Sequence, residues 1–129
     1  MVKVQHVDHV AITVRDLARS IRWYSDTLGL EDLTPGDWDY PRMIGVGDTC
    51  LALFPSSVEE PRNLSQEDVA KTITMRHVAF RVDGAGFKQA QEEFRAKKVD
   101  FEFADHGVAH SVYISDPDGH RIEITTYDL

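Results

Sequence analysis

The chain has one cysteine, Cys50, among its 129 residues. A single cysteine cannot form an internal disulfide, and this is typical of proteins from a reducing compartment. The sequence also lacks an apolar run long enough to cross a membrane, and the segment Met1 to His6 contains no apolar core of a signal peptide. We therefore expect a cytoplasmic protein that does not use a membrane as a partner.

Basic residues are scarce as well, since 14 Lys and Arg stand against 22 Asp and Glu and leave a net charge of −8. Nucleic acids and anionic membranes attract proteins that concentrate Lys and Arg on one surface. The charge therefore disfavours both as partners and leaves a small-molecule substrate open. A length of 129 residues is typical of one domain with its own hydrophobic core.

The main positive feature is an internal repeat. The segment His77–Val82, which reads HVAFRV, repeats His9–Val14, which reads HVAITV. Both segments alternate with period two and are rich in β-branched or aromatic residues, so we predict two strands in which His and Ala face away from the bulky apolar residues. A repeat offset slightly longer than half the chain predicts two copies of one structural unit.

The first copy is predicted to be a strand, a helix and then two or three strands. Asp16 is a suitable N-cap, and Gly29 is a suitable end for a helix whose apolar residues recur at helical spacing, namely Leu17, Ile21, Tyr24 and Leu28. Strands are predicted over 42–46 and 49–54, joined by a turn at Gly47-Asp48.

The second copy is predicted to follow the same plan. It would contain a strand over 75–82, a helix with Phe87, Ala90 and Phe94 on one face, and strands near 99–104, 109–115 and 121–127. Asp116–Gly119, with sequence DPDG, is predicted to form a tight turn before the last strand. The boundaries are module 1 at about 5–55, a polar linker at about 56–73 with one helical turn near 66–70, and module 2 at about 74–129.

Three residues could bind a divalent cation if the sheets of the two copies form one curved surface. Glu123 lies between Ile122 and Ile124, on the face opposite them, and His9 and His77 occupy equivalent positions of the repeat. Two imidazoles and one carboxylate leave other coordination positions open, an arrangement favoured by non-haem Fe(II). Taken singly, a strand histidine more often forms a hydrogen bond to a neighbour, and Glu123 could be a solvated residue of an edge strand. The coincidence of all three favours a metal site.

Several motifs together resemble the vicinal oxygen chelate superfamily, which includes glyoxalase I, extradiol ring-cleavage dioxygenases and fosfomycin or bleomycin resistance proteins. These motifs are Asp8–Val14, Trp23-Tyr24, Leu28–Leu30, His77–Phe80 and Asp116–Ile124. The resemblance implies an α+β fold in which two βαβββ modules form a half-open barrel around a divalent metal. It also implies that His9, His77 and Glu123 are the metal ligands. Fe(II) is favoured, and Mn, Zn and Ni remain open.

The chain departs from the glyoxalase pattern at one position. Metal-dependent glyoxalase I has a second carboxylate on the last strand of its first copy, where this chain has Ala52. Losing that group removes a candidate base for proton transfer between carbons, so the three-ligand set favours extradiol dioxygenases or thiol-transferring resistance proteins. The latter need a basic pocket for a phosphonate, and the sequence suggests few cations near the site beyond Arg81, His120 and Arg121.

The sequence therefore favours an extradiol-type dioxygenase. The alternative is a glyoxalase-type isomerase or lyase, or a thiol transferase. A further alternative is a non-catalytic protein that sequesters a small molecule, although sequestering members of the superfamily usually lack the metal ligands. We also expect a homodimer.

Other candidate site residues follow from the resemblance. His110 and Tyr113 lie in a segment similar to the one where extradiol enzymes hold a catalytic His and Tyr, so we predict that they are catalytic, with His106 as an alternative acid or base. Residues three apart face opposite sides of a regular strand, so both could point inward only at a bulge. For substrate binding we predict a carboxylate anchor at Arg81 and an aromatic wall that includes Trp38 and Phe54.

Overall fold

The computed structural model describes all residues from Met1 to Leu129. The chain divides into two compact units, Met1–Pro61 and Arg62–Leu129. Each unit contains helices and one four-stranded sheet of mixed strand direction, so the predicted α+β class is confirmed. None of the helices combines the length and the hydrophobicity needed to cross a lipid bilayer.

The first unit has the predicted order of strand, helix and three strands. Its elements are β1 (Val10–Val14), α1 (Leu17–Leu28), β2 (Glu31–Asp32), β3 (Arg42–Val46) and β4 (Thr49–Pro55). The sheet order is β1-β4-β3-β2, with β1 parallel to β4 and the other pairs antiparallel. Strand β2 has only two residues, which is too short to produce a periodic pattern in the sequence.

Helix α1 begins and ends where its capping residues predict. The Asp16 side chain accepts a hydrogen bond of 3.0 Å from the backbone N–H of Arg19, which satisfies a donor that the first turn leaves open. Gly29 ends the helix in the left-handed region, with φ at +69°. Tyr24 is fully buried on the inner face and packs edge-on against Trp23.

The second unit repeats this plan after a short helix. Its elements are α2 (Gln66–Ala70), β5 (Val78–Arg81), α3 (Gly84–Ala96), β6 (Glu102–Asp105), β7 (His110–Ser115) and β8 (Arg121–Thr126). The sheet order is β5-β8-β7-β6, with β5 parallel to β8 and the other pairs antiparallel. Strand β5 is shorter than the predicted 75–82, because its pairing begins with Val78 opposite Ile122 near the start of β8.

One face of β8 packs in the core, and the other face presents Glu123. Ile122, Ile124 and Thr126 are buried on one face of the strand. Glu123 lies on the other face, where it pairs with Ala79 of β5 on one side and Tyr113 of β7 on the other. Because side chains alternate along a strand, the core residues of β8 place Glu123 on the opposite surface of the sheet.

The turn before β8 is held by close backbone contacts. The Asp116 carboxylate accepts hydrogen bonds from the backbone N–H groups of Asp118 and His120, at 2.9 and 2.8 Å. The backbone N–H of Arg62 donates to the Asp118 carbonyl at 2.8 Å. Gly119 has φ at +82°, and a Cβ added there would overlap the Arg62 carbonyl oxygen. Glycine is therefore required at this position both by the backbone conformation and by the close approach of a second segment.

Replacing Gly119 with Ala should destabilise the protein more than the same change at Gly107. The two glycines have nearly the same φ, +82° and +81°, but nothing lies within 4 Å of a Cβ added at Gly107. Gly107→Ala should therefore cost only the left-handed strain, about 1–2 kcal/mol. Gly119→Ala should cost roughly 1–3 kcal/mol more, because the Arg62 backbone must move.

Urea unfolding of the two variants measures this difference directly. Equal losses of unfolding free energy would show that the Arg62 backbone adjusts without cost, and would contradict the constraint assigned to Gly119.

Candidate functional site

Two of the predicted metal ligands meet in the second unit. His77 immediately precedes β5, and its Nε2 lies 2.8 Å from Oε2 of Glu123 in β8. Glu123 is only 8% exposed, and the His77 side chain is partly buried. A carboxylate taken out of water needs compensating partners, so the environment of both its oxygens decides what the pair can bind.

The other oxygen of Glu123 is occupied by two hydroxyl groups. Oε1 accepts a hydrogen bond of 2.5 Å from the Ser111 hydroxyl and one of 3.2 Å from the Tyr113 hydroxyl. Both donors lie on β7, two residues apart, and therefore on the same face of the sheet as Glu123. The carboxylate thus has a hydrogen-bonded side, Oε1, and a side facing the imidazole of His77, Oε2.

Tyr113 links this carboxylate to a second histidine. His106 Nε2 lies 3.1 Å from the Tyr113 hydroxyl and 4.0 Å from Glu123 Oε1. Burial, and then the negative charge of Glu123, raise the pKa of Tyr113 above its usual value. The phenol therefore keeps its proton and donates a hydrogen bond to Glu123 Oε1. The Tyr113 oxygen then accepts from His106, so Nε2 is assigned as the nitrogen of His106 that donates.

His110 lies on the opposite face of β7 and is not brought to Glu123. Its Nε2 is 3.5 Å from Asp105 Oδ1, and its ring packs edge-on against Phe103 at 5.2 Å. Strand β7 pairs with both neighbours in regular register, with no bulge, so His110 and Tyr113 point to opposite sides. The histidine beside Tyr113 is His106. It belongs to the loop before β7, so the alternation of side chains along the strand does not restrict the face that it reaches.

A cleft of about 280 Å³ opens beside His77. Its walls are formed by Gln66, Arg76, His77, Glu102, Phe103, Ala104, Tyr113 and Arg121. The Arg121 guanidinium stacks over the Tyr113 ring at 4.6 Å and donates to Glu102 Oε2 at 3.0 Å. Arg121 is among the few cations that the sequence suggests near the site. Arg76 is not, because nothing in the sequence indicates which side of the segment before β5 it faces. With both arginines the cleft is suited to an anion.

Arg81, the predicted carboxylate anchor, does not line this cleft. It is exposed at the end of β5, and its guanidinium lies over the Tyr127 ring at 4.6 Å. Arg81 pairs with Thr125 of β8, so its side chain emerges toward the chain that follows β8. The cation–π contact with Tyr127 accounts for its orientation.

In the first unit, the predicted ligand His9 immediately precedes β1. Its Nδ1 lies 2.7 Å from Asp8 Oδ2, which leaves Nε2 as the ring nitrogen available to another partner. Along β1, Ala11 pairs with Ala52 of β4, just as Ala79 pairs with Glu123 in the second unit. Ala52 thus occupies the position equivalent to Glu123, and only the second unit has an acid there.

Both predicted aromatic residues, Phe54 and Trp38, belong to the first unit. Phe54 pairs with Thr13, on the same face of the sheet as Ala52, and it is partly exposed. Trp38 lines a different cleft of about 310 Å³, together with residues that include Cys50. Burial, with a contribution from the negative charge of Asp8, raises the pKa of the Cys50 thiol, so Cys50 is not an activated nucleophile.

Two donor atoms of the second unit are spaced as neighbouring ligands of a divalent metal ion would be. Neither unit by itself gathers three His, Cys, Asp or Glu side chains in a metal-binding arrangement. The second unit does provide one imidazole nitrogen and one carboxylate oxygen 2.8 Å apart. Two neighbouring donors of an octahedral ion, each bound at about 2.1 Å, lie roughly 3 Å apart. Nitrogen and oxygen donors of this kind suit divalent first-row metals.

Comparisons with known proteins agree with this architecture. Residues 6–124 match the model of the Glyoxalase/Bleomycin resistance protein/Dioxygenase superfamily, and the chain therefore belongs to this family. The resemblance described from the motifs is confirmed. Among solved structures, a glyoxalase/dioxygenase from Nostoc punctiforme is similar with a TM-score of 0.75, at 27% identity over 95% of this chain and 90% of that one. The fosfomycin resistance protein FosX from Mesorhizobium loti shares the fold, with a TM-score of 0.70, 22% identity and coverage of 96% and 93%.

Similar sequences are named as thiol transferases. Metallothiol transferase FosB from Lysinibacillus sphaericus is 30% identical over 129 residues, covering 98% of this chain and 85% of the relative. FosB from Staphylococcus epidermidis is 28% identical, with coverage of 98% and 85%. Glutathione transferase FosA from Serratia marcescens is 26% identical, with coverage of 94% and 80%. These relatives favour the thiol-transferase alternative over the extradiol dioxygenase predicted from the sequence.

Proposed function

We propose that this protein is a metal-dependent transferase that adds a thiol to an electrophilic carbon of a small anionic substrate. The C–S bond forms as a C–O bond within the same substrate opens, and the released oxygen takes up the thiol proton, so nothing leaves the product. The observation that carries the proposal is the cleft in which the His77–Glu123 pair lies beside Arg76 and Arg121. One side of such a site suits a cation and the other suits an anion. The site could therefore bind a substrate that chelates a metal through oxygen atoms and also carries a phosphonate or carboxylate group. The names of the FosB and FosA relatives support the thiol as the second reactant.

We propose that His9, His77 and Glu123 hold the metal ion. When bound there, a divalent ion supplies a Lewis acid that polarises a substrate oxygen. Asp8 Oδ2 accepts a hydrogen bond of 2.7 Å from His9 Nδ1–H and so orients the ring, as carboxylates commonly do for ligating histidines. Fe(II) was favoured because two imidazoles and one carboxylate are typical ligands of non-haem Fe(II). A thiol transferase needs only a Lewis acid, so Mn, Zn and Ni are equally open.

The cleft residues have distinct roles in this proposal. Arg76 and Arg121 bind the anionic group of the substrate through charge-assisted hydrogen bonds. The Tyr113 ring holds the Arg121 guanidinium in place, and Glu102 neutralises that guanidinium until the substrate displaces its carboxylate. The Tyr113 hydroxyl, which accepts from His106 and donates to Glu123 in the structure, turns from Glu123 to donate its hydrogen bond to a substrate oxygen.

Thiol transfer can be tested on protein freed of metal and reloaded with Mn(II), Fe(II), Ni(II) or Zn(II). Each form is incubated with cysteine or glutathione and a panel of small phosphonates and carboxylates that includes fosfomycin. We expect a product whose mass is the sum of thiol and substrate, detected by liquid chromatography and mass spectrometry, and no product without metal. A protein that binds metal but forms no adduct with any pair would contradict the proposal.

A second candidate function is supported by one observation. The His106–Tyr113 hydrogen bond beside Glu123 matches the catalytic His and Tyr that the resemblance to extradiol enzymes implies, although the histidine is His106 and not His110. Under this alternative, the protein loaded anaerobically with Fe(II) should consume oxygen in the presence of a catechol. Oxygen uptake without any thiol adduct would favour ring cleavage, and an adduct without oxygen uptake would favour thiol transfer.

Metal binding is tested by comparing two histidine variants. His77→Ala should weaken the affinity for a divalent ion by more than about 100-fold, since it removes a ligand rather than one of its supporting partners. His110→Ala is the matched control, because His110 lies on the opposite face of β7 and should leave the affinity unchanged.

Elemental analysis and calorimetric titration measure both effects on protein purified without chelator or nickel resin. Metal-free wild-type protein that takes up no divalent ion would favour the sequestering alternative instead.

The anion cleft is tested by removing its charges. Arg121→Gln or Arg76→Gln should weaken the binding of methylphosphonate to the metal-loaded protein by about 10–100-fold, the equivalent of one charge-assisted hydrogen bond. Metal content should stay the same.

Arg95→Gln is the control, because Arg95 belongs to α3 and lies over the Phe101 ring away from the cleft. If the three variants bind methylphosphonate as tightly as the wild type, the arginines of the cleft do not recognise the anion.

We also propose that the protein assembles as a homodimer. Exposed apolar side chains before the first strand of each unit support this, namely Val2 and Val4 before β1 and Ile73 and Met75 before β5. Exposed apolar side chains grouped in this way are typical of surfaces that another chain covers.

A further inference from the structure

Glu123 accepts a hydrogen bond from a hydroxyl group that is neither a proposed metal ligand nor part of the cleft wall. Ser111 is completely buried, and its hydroxyl donates to Glu123 Oε1 at 2.5 Å. Hydrogen bonds to a carboxylate are shorter and stronger than those between neutral groups. A buried serine beside a buried carboxylate therefore has a large effect on how that carboxylate is oriented.

We propose that Ser111 is a positioning residue that makes Glu123 bind metal through Oε2 alone. The inference rests on the proposed function, because it assumes that Glu123 is a metal ligand. A carboxylate can coordinate an ion through one oxygen or through both. With Oε1 engaged by Ser111, Glu123 occupies one coordination position, and one more position stays open for substrate oxygens.

The geometry of the pair supports binding through one oxygen. Oε2 is the atom that faces His77 Nε2, at 2.8 Å. Oε1 points the other way, into the hydroxyl groups of Ser111 and Tyr113. Rotating the carboxylate so that both oxygens face a common ion would break these hydrogen bonds inside a region with little access to water, where an unpaired oxygen is costly.

Ser111 is better suited to this role than Tyr113. The Ser111 hydrogen bond is shorter, 2.5 Å against 3.2 Å, and Ser111 is fully buried whereas Tyr113 is only half-buried at the cleft. Tyr113 also has His106 as a partner and can turn its hydroxyl toward a substrate. Ser111 is buried and does not line the cleft, so its hydrogen bond to Glu123 persists while the contents of the cleft change.

A neighbouring threonine keeps the Ser111 hydroxyl in place. Ser111 pairs with Thr125 across β7 and β8, and their hydroxyl oxygens are 3.0 Å apart. The single proton of Ser111 goes to Glu123, because the charged acceptor is the stronger one. The Thr125 hydroxyl, which also lies 3.3 Å from the His110 carbonyl oxygen, is then left to donate to that oxygen or to Ser111. The side chains form a short hydrogen-bonded chain that ends on the carboxylate.

The test compares Ser111→Ala with Ser115→Ala, a change at the exposed end of the same strand. Ser111→Ala should lower the affinity for Mn(II) or Zn(II) by about 10–100-fold, the usual effect of removing a group that orients a ligand. In the Co(II)-loaded protein, Ser111→Ala should also lower the visible absorption. Glu123 then binds through both oxygens, and the higher coordination number of Co(II) weakens its absorption. Ser115→Ala should match the wild type in both measurements, and Ser111→Thr, which keeps a hydroxyl, should restore most of the affinity.

A second measurement needs no variant and so does not depend on Ser111→Ala folding. The infrared difference spectrum of wild-type protein labelled with ¹³C-glutamate should show the wide separation of carboxylate stretches expected for binding through one oxygen. A narrow separation, or equal affinity and absorption in wild type and Ser111→Ala, would overturn the role of Ser111 while leaving the metal site intact. Absence of any divalent-metal binding by the wild type would instead overturn the proposed function, and this inference with it.

Discussion

The contact between His77 and Glu123 depends on the parallel pairing of β5 with β8. That register sets Glu123 beside Ala79, whose side chain is too small to cover the carboxylate. His77 lies two residues before Ala79 and on the same face of the sheet. A shift of one residue would turn Glu123 into the core and expose Ile122 or Ile124. The burial of those two isoleucines therefore specifies the position of the polar pair, and the stability of the core and the geometry of the site have the same origin.

The two units use the same architecture for different purposes. Ala52 and Glu123 occupy equivalent positions, each paired with an alanine of the first strand of its unit. The first unit therefore presents a histidine and a small apolar surface, and the second presents a histidine, a carboxylate and the hydroxyl groups that orient it. This asymmetry leaves one carboxylate, Glu123, whose two oxygens have different partners: Oε2 faces His77, and Oε1 accepts from Ser111 and Tyr113.

The electrostatic character of the cleft differs from that of the whole chain. The net charge is −8, yet the cleft beside His77 has two arginines and one glutamate along its walls. The charge of a small site is set by the few side chains that line it, and the Tyr113 ring helps by holding Arg121 in the cleft. For this reason composition disfavours polyanionic partners but says little about a small anionic substrate.

Strand alternation and helix capping depend on neighbouring residues, so the sequence alone predicted three features. These are the repeat, the caps of α1 at Asp16 and Gly29, and the position of Glu123 on the face of β8 opposite its isoleucines. The same alternation separated His110 from Tyr113, as the structure shows. What only the tertiary structure decided are contacts between side chains distant in the sequence. Examples are Ser111 on Glu123, His106 on Tyr113 and Arg76 in the cleft. Such contacts depend on the register between strands and the path of loops, and no local pattern in the chain encodes them.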